Sequence, residues 1–165
     1  MGRLSKDEYY LDIAKSVSKR STCLKRQYGA VIVNNNRIIS TGYNGAPHDC
    51  VNCCDVGVCD RMNVAHNSDY TTCRAVHAEM NAVIQATFSE MKDATLYLVG
   101  FDKDGSIDDP DCCPMCKRCI INAGINKIVF GNDIGVVRTA YVHDWIAEFD
   151  SKFKKNDSEG GKNEG

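Results

Sequence analysis

The chain has 165 residues, of which 43% are hydrophobic, and its formal net charge is −2. This length and composition predict a single domain with one hydrophobic core. The small net charge, without a large block of Lys and Arg, excludes a broad nucleic-acid surface. No apolar run is long enough to span a membrane, so we expect no membrane partner.

The chain contains ten cysteines, and its N-terminal stretch lacks the apolar core of a signal peptide. In a chain that is not secreted, cysteines indicate metal ligands more often than disulfides. We therefore expect a cytoplasmic protein that binds metal through some of these thiols.

The first half of the chain predicts a helix and a β-hairpin. Ser5 and Glu8 have the spacing of a capping box, and apolar residues follow them at helical intervals. Residues 28–33 and 37–43 are rich in β-forming side chains, and the asparagines between them tolerate tight-turn geometry. Residues 44–73 show no regular pattern, and a loop of this length needs something to order it.

Helix-like and strand-like stretches alternate in the second half. The predicted helices are 76–86, 113–123 and 145–153, and the predicted strands are 95–101, 127–131 and 136–142. Gly124 should end the second of these helices, and Asp144 should cap the third. The gap between the last two strands is too short for a parallel crossover, so they should pair antiparallel through residues 132–133.

This order of elements favours a sheet covered by helices on both faces, in an α/β fold. We expect residues 1–153 to form one domain. Residues 154–165 are polar and rich in glycine, which is typical of a disordered tail.

Two short motifs contain residues that can bind a metal. His77 and Glu79 lie at the start of one predicted helix, and Cys113 and Cys116 lie at the start of the next. One His and two Cys as ligands leave a tetrahedral zinc with one position open for water. A Glu near that water, but not bound to the metal, can move its protons, which is the arrangement found in zinc deaminases. Glu79 is therefore the candidate catalytic residue.

His77-Ala78-Glu79 together with Cys113-x-x-Cys116 resembles the cytidine and deoxycytidylate deaminase superfamily. Three further stretches resemble its deoxycytidylate (dCMP) deaminase branch, namely 29–33 (GAVIV), 42–47 (GYNGAP) and 121–125 (INAGI). The resemblance covers residues 9–130 and implies a cytidine deaminase-like three-layer α/β/α fold. It implies a five-stranded mixed sheet with both site helices on one face.

The resemblance also implies an activity, the zinc-dependent hydrolysis of dCMP to dUMP and ammonia, which feeds dTMP synthesis. In the family mechanism, Glu79 takes a proton from water, passes it to N3 of cytosine and later protonates the departing ammonia. By analogy, the backbone amide of Ala78 binds the base carbonyl, and Asn44 contacts the sugar and base. Candidates for binding the phosphate, by position only, are Lys25, Arg26 and Arg138.

One position departs from the family, because Cys112 stands where a Pro usually precedes the first Cys of the pair. Cys116 could therefore bind zinc with either Cys113 or Cys112. The spacing favours Cys113, since Pro114 then occupies the first helical position, where its missing amide costs nothing.

The remaining cysteines suggest a second metal site, since some dCMP deaminases carry a structural zinc in the loop 44–73. The expected ligands of this second zinc are Cys23, Cys53, Cys59 and Cys73, with His66 and Cys50 as alternatives. The other interpretation is that these are ordinary buried thiols.

The resemblance further implies regulation by dCTP and dTTP through residues 44–47 of a homohexamer. Two alternatives to a dCMP deaminase stay open. One is a different deaminase of the superfamily, acting on tRNA adenosine, guanine or free cytidine. The other is a non-catalytic zinc-binding module that serves assembly.

Overall fold

The computed structural model describes residues 2–65, 68, 70–103, 110–132 and 134–159, with side chains as far as residue 152. The helices are α1 (Lys6–Ser18), α2 (Cys53–Val56), α3 (Ala78–Ile84), α4 (Phe88–Met91), α5 (Pro114–Asn122) and α6 (Val142–Glu159). The strands are β1 (Arg26–Asn34), β2 (Arg37–Tyr43), β3 (Thr95–Asp102), β4 (Lys127–Asn132) and β5 (Gly135–Tyr141).

The five strands form one sheet in the order β2-β1-β3-β4-β5. β3 and β4 are parallel, and α5 is the crossover that connects them. The other neighbouring pairs are antiparallel, including the last pair, β4 with β5. The mixed five-stranded sheet and its antiparallel last strand are thus confirmed.

Helices cover both faces of the sheet, which confirms the predicted three layers. Side chains alternate along β3, so that Leu96 and Leu98 lie on one face while Tyr97 and Val99 lie on the other. α1 packs on the face of Tyr97 and Val99. Buried residues of α3, α5 and α6 pack together on the opposite face. Both helices that begin with candidate metal ligands therefore share one layer.

In the N-terminal half, the predicted helix cap and the predicted hairpin turn are both present. The Ser5 hydroxyl accepts from the Glu8 amide, and the Glu8 carboxylate accepts from the Ser5 amide, which completes the capping box of α1. Asn35 and Asn36 have φ values of +48° and +61° in the turn between β1 and β2. This left-handed geometry is what a two-residue hairpin turn requires.

The elements differ from the sequence expectation at several points, and α2, within the stretch 44–73 that shows no regular pattern, is one of them. α6 begins at Val142, directly after β5, so Asp144 lies in its first turn and is not its cap. α6 also continues to Glu159, beyond the end expected near residue 153. α4 was not predicted, although Thr87 and Glu90 form a capping box that signals its start. Asp133 of the expected turn and residues 160–165 of the expected tail lie outside the described residues.

No helix in the described part of the chain is both long and apolar enough to cross a membrane.

Candidate metal centre

β2 holds α3 in place through hydrogen bonds between the strand and the helix. The Ser40 hydroxyl donates to the backbone carbonyl of Ala82 at 2.7 Å, and the side-chain amide of Asn81 donates to the backbone carbonyl of Tyr43 at 2.8 Å. Beyond the strand, Gly45 pairs with Val76, the residue before His77. The start of α3 is therefore fixed to the end of the hairpin.

His77 and Cys113 occupy equivalent positions in their two helices. Each is the N-cap residue, with extended backbone geometry, and Pro114 is at the start of α5. The Cys113 sulfur accepts from the backbone amide of Cys116 at 3.4 Å. Two helix N-termini thus face the same point, and their partial positive charge favours thiolate there.

The three candidate ligands lie at the spacing that a tetrahedral zinc requires. His77 Nδ1 is 3.5 Å from Cys113 Sγ and 3.4 Å from Cys116 Sγ. Zinc bonds of ordinary length to a nitrogen and a sulfur would separate these atoms by about 3.6 Å. Among the described residues, this is the one group whose three ligand atoms all lie within 4.8 Å of one another. The donor set therefore fits zinc.

Hydrogen bonds within this group favour a thiolate. Those that Cys113 receives from Cys116 and His77 lower the pKa of Cys113 to about 4, against the opposing effect of burial. The same bond to Cys113, together with burial, raises the pKa of Cys116. The hydrogen bond to Cys113 also raises the pKa of His77. One negative charge is thus already favoured between the two sulfurs, and a bound cation would favour a second.

Glu79 lies in the first turn of α3 and is only 3% exposed. Burial raises the pKa of Glu79, and the nearby His77 opposes that shift. Burial also raises the pKa of the Cys112 thiol, and the nearby Glu79 carboxylate adds to that shift. Cys112 therefore lies near the acid, while Cys113 and Cys116 contact the imidazole.

The two residues expected to contact substrate have different surroundings. Ala78 is fully buried at the first position of α3. Asn44 lines the cavity, but its side chain already binds the backbone of β1. Its oxygen accepts from Tyr28 N at 2.8 Å, and its nitrogen donates to Arg26 O at 2.9 Å. One amide hydrogen of Asn44 is left for a ligand.

A cavity of about 90 Å³ opens beside the metal group, and His77, Glu79 and Cys113 form part of its wall. Lys25 and Arg26, two of the expected phosphate ligands, also line it. Arg138 does not line it, and instead pairs with Asp111 at 3.0 Å. Arg61 and Tyr70 are among the lining residues that sequence reasoning missed. The pattern-free stretch that contains them gave no signal of their position.

The four cysteines expected to hold a second zinc, Cys23, Cys53, Cys59 and Cys73, line a smaller cavity of about 20 Å³. Burial raises the pKa of Cys53, and the other three thiols add to that shift. In the described part of the chain, these four sulfurs do not come as close together as the ligand atoms of His77, Cys113 and Cys116 do. Of the alternatives, Cys50 is exposed and His66 lies outside the described residues.

Comparison with known proteins agrees with this geometry. Residues 4–132 match the family model of the cytidine and deoxycytidylate deaminase zinc-binding region. The deoxycytidylate deaminase of Saccharomyces cerevisiae is 37% identical over 132 residues, which is 78% of this chain and 38% of the yeast protein. The deoxycytidylate deaminase of Mycobacterium phage D29 is 36% identical over 137 residues, which is 79% of this chain and 97% of the phage protein.

A solved structure gives the same result for the fold. The dCMP deaminase of cyanophage S-TIM5, in complex with dCMP and dUMP, is 25% identical with a TM-score of 0.56. That match covers 79% of this chain and 85% of the phage chain. The chain belongs to the cytidine and deoxycytidylate deaminase family, and it contains that family's zinc-binding region.

Proposed function

We propose that this protein hydrolyses dCMP to dUMP and ammonia. The observation that carries the proposal is a buried Glu79 beside the His77, Cys113 and Cys116 group, on the wall of a cavity. Relatives named deoxycytidylate deaminase support the choice of substrate. The chain spans 38% of the length of the yeast relative, so its activity is inferred from the shared region.

Three side chains would hold the metal, namely His77, Cys113 and Cys116. When bound, zinc supplies a nucleophilic hydroxide at neutral pH. Glu79 takes the proton released from water and delivers it to N3 of cytosine. It then takes the proton of the hydroxyl group now on C4 and delivers it to the amino group, which leaves as ammonia. The C4–N bond breaks, a C4–O bond replaces it, and the products are ammonia and the uracil ring.

Two further residues would position the base. The backbone amide of Ala78, at the start of α3, is proposed to donate to the base carbonyl. Asn44 is proposed to contact the nucleoside through its remaining amide hydrogen. Because hydrogen bonds to the backbone of β1 already fix the Asn44 side chain, its contact with the nucleoside would be rigid.

The burial of Glu79 argues against the alternative function, a non-catalytic zinc-binding module. A structural zinc site is closed by four protein ligands and has no need of a buried carboxylate next to it. Burying that carboxylate costs free energy, and a purely structural role for the metal site does not explain why Glu79 is buried there. The other deaminases of the superfamily differ in substrate, and an activity panel distinguishes them.

The test is ammonia release from dCMP, cytidine, cytosine and guanine by the zinc-loaded protein and by Glu79→Gln. We expect dCMP to be preferred. Because an amide cannot shuttle protons, Glu79→Gln should lose ~10²–10⁴-fold in rate while zinc content stays unchanged. Glu148→Gln, a matched change on the exposed face of α6, serves as the control. A Glu79→Gln variant that keeps more than about a tenth of the wild-type rate contradicts the proposal.

We further propose that the loop cysteines Cys23, Cys53, Cys59 and Cys73 hold a second, structural zinc. Two observations support this site, since all four line one cavity and Cys23 Sγ already accepts from the Lys25 amide at 3.4 Å. Metal analysis should give close to two zinc per chain, and Cys53→Ser should remove one of them. A value of one zinc, with Cys53→Ser folding normally, would leave these cysteines as ordinary thiols.

Three more features belong to the proposal. They are a homohexamer, activation by dCTP with inhibition by dTTP through residues 44–47, and a cytoplasmic location. The resemblance of the 42–47 stretch supports the first two, and ten free thiols support a reducing compartment. Light scattering with and without each nucleotide tests the assembly. Initial rates in the presence of dCTP or dTTP test the regulation.

A further inference from the structure

The cations of the main cavity differ in how their charge is balanced. Arg26 pairs with Asp102 at 2.8 Å. In the described part of the chain, neither Lys25 nor Arg61 has a carboxylate within ion-pair distance. Both line the cavity that contains the metal group. The cavity wall thus has two cationic side chains that form no ion pair with a carboxylate of the described residues.

Arg61 is only 7% exposed, and several contacts hold its side chain in place. Its guanidinium carbon lies 4.2 Å from the centre of the Tyr70 ring. Its Nη2 donates to the carbonyl of Ala65 at 3.2 Å and to the hydroxyl of Ser68 at 3.3 Å. Its Nε is buried and has no hydrogen-bond partner among the described residues. A buried charged donor without an acceptor is costly, so a ligand that supplies an acceptor is favoured.

Lys25 is tethered next to Arg61. Its ammonium donates to the backbone carbonyl of Arg61 at 3.0 Å and also to that of Val64. An ammonium has three donors, and these two carbonyls leave one for a ligand. The two cations therefore lie together on one side of the cavity.

This cation pair lies at a definite place relative to the metal group. The Tyr70 ring contacts the Arg61 guanidinium and also packs edge-on against the His77 imidazole, with ring centres 5.0 Å apart. One aromatic ring thus separates the cation from the candidate metal ligand. In a nucleotide, the sugar likewise separates the reacting base from its phosphate.

We propose that Arg61, together with Lys25, binds the 5′-phosphate of the nucleotide and so makes the enzyme select dCMP over deoxycytidine. This inference rests on the proposed function of the same site. A phosphate monoester carries about two negative charges at neutral pH, which matches the two cations. Its oxygens can accept from Arg61 Nε and from the third Lys25 donor, and guanidinium geometry suits phosphate.

The experiment compares kcat/KM for dCMP and for deoxycytidine in the wild type, Arg61→Gln, Arg61→Lys and Lys25→Gln. We expect Arg61→Gln to lower kcat/KM for dCMP by about 10- to 100-fold, mainly through KM. The value for deoxycytidine should stay within about twofold. Arg61→Lys should recover part of the loss, and Lys25→Gln should act in the same direction as Arg61→Gln. Arg37→Gln, on the exposed edge of β2, is the matched control.

Other outcomes overturn the inference. A loss that is equal for both substrates would show that Arg61 only orders its loop, and no loss would show that it does not touch the phosphate. Calorimetry measures the binding of inorganic phosphate directly, so it tests the inference independently of the proposed activity. A wild-type protein that is inactive on dCMP refutes that function, but Arg61→Gln must still weaken phosphate binding by at least about tenfold.

Discussion

The contact between β2 and α3 leaves no room for a side chain at Gly42, and this predicts the effect of Gly42→Ala. A Cβ atom at this position would lie 2.3 Å from the Ala78 carbonyl oxygen and 2.4 Å from the Ala82 nitrogen. Both are backbone atoms of α3, so no side chain can rotate away to relieve the clash. Ordinary contact begins near 3.4 Å, and the helix must therefore move away from the strand by roughly 1 Å.

Moving α3 has two consequences of predictable size. Overpacking of this kind costs about 1–3 kcal/mol in the free energy of unfolding. Because α3 carries His77 and Glu79 at its start, the shift also displaces them from Cys113 and Cys116. A misplacement of about 1 Å in a catalytic group can cost roughly 10²-fold in rate. We therefore expect Gly42→Ala to lose both stability and most of its kcat/KM for dCMP.

The assay combines denaturant unfolding, initial rates of ammonia release and zinc content. Gly2→Ala is the matched control, because an added Cβ there meets no atom within 4 Å. A Gly42→Ala protein within about 0.5 kcal/mol of the wild type in its free energy of unfolding, and with full activity, would refute the reasoning. It would mean that α3 can shift without disturbing the residues at its start.

Three other predictions follow from particular contacts. Ser40→Ala should lower the free energy of unfolding by about 1–3 kcal/mol, measured in urea, because a buried carbonyl in the last turn of α3 loses its donor. Cys113→Ala should reduce zinc by one per chain, whereas Cys112→Ala should leave it unchanged; the opposite result in metal analysis would reverse the ligand assignment. Hydrogen bonds from Ser5 lower the pKa of Glu8, so their stabilisation is fully present above about pH 4.5 and is lost as pH falls through the lowered value. The difference in Tm between wild type and Ser5→Ala should shrink in acid, and a constant difference would show that the Glu8 charge is irrelevant.

Several parts of this protein follow from residues close together in the chain. The capping box at Ser5 and Glu8 and the turn at Asn35 and Asn36 each depend on a few consecutive residues. The preference for an antiparallel β4–β5 pair follows from the length of the connection alone. These signals are local, and the structure agrees with them because no distant contact opposes them.

The chemistry of the metal centre also has a local signature, but its assembly does not. The residue types at 77, 79, 113 and 116 indicate zinc chemistry from the sequence. That two helix starts meet depends on the parallel pairing of β3 with β4 and on the packing of α3 and α5 in one layer. That the Cys112 thiol lies near Glu79, while Cys113 contacts His77, was decided only by this packing.

Only the tertiary structure brings Arg61 to the cavity. It comes from a stretch without periodicity, where neither hydrophobic spacing nor turn residues predict the path of the chain. Its place depends on a ring contact with Tyr70 and on the tether to Lys25. The sequence by itself therefore determined which chemistry is available, because local patterns specify helix starts and metal ligands. The tertiary structure decided which charges surround that chemistry, because contacts between distant residues depend on how the whole sheet and its helices pack.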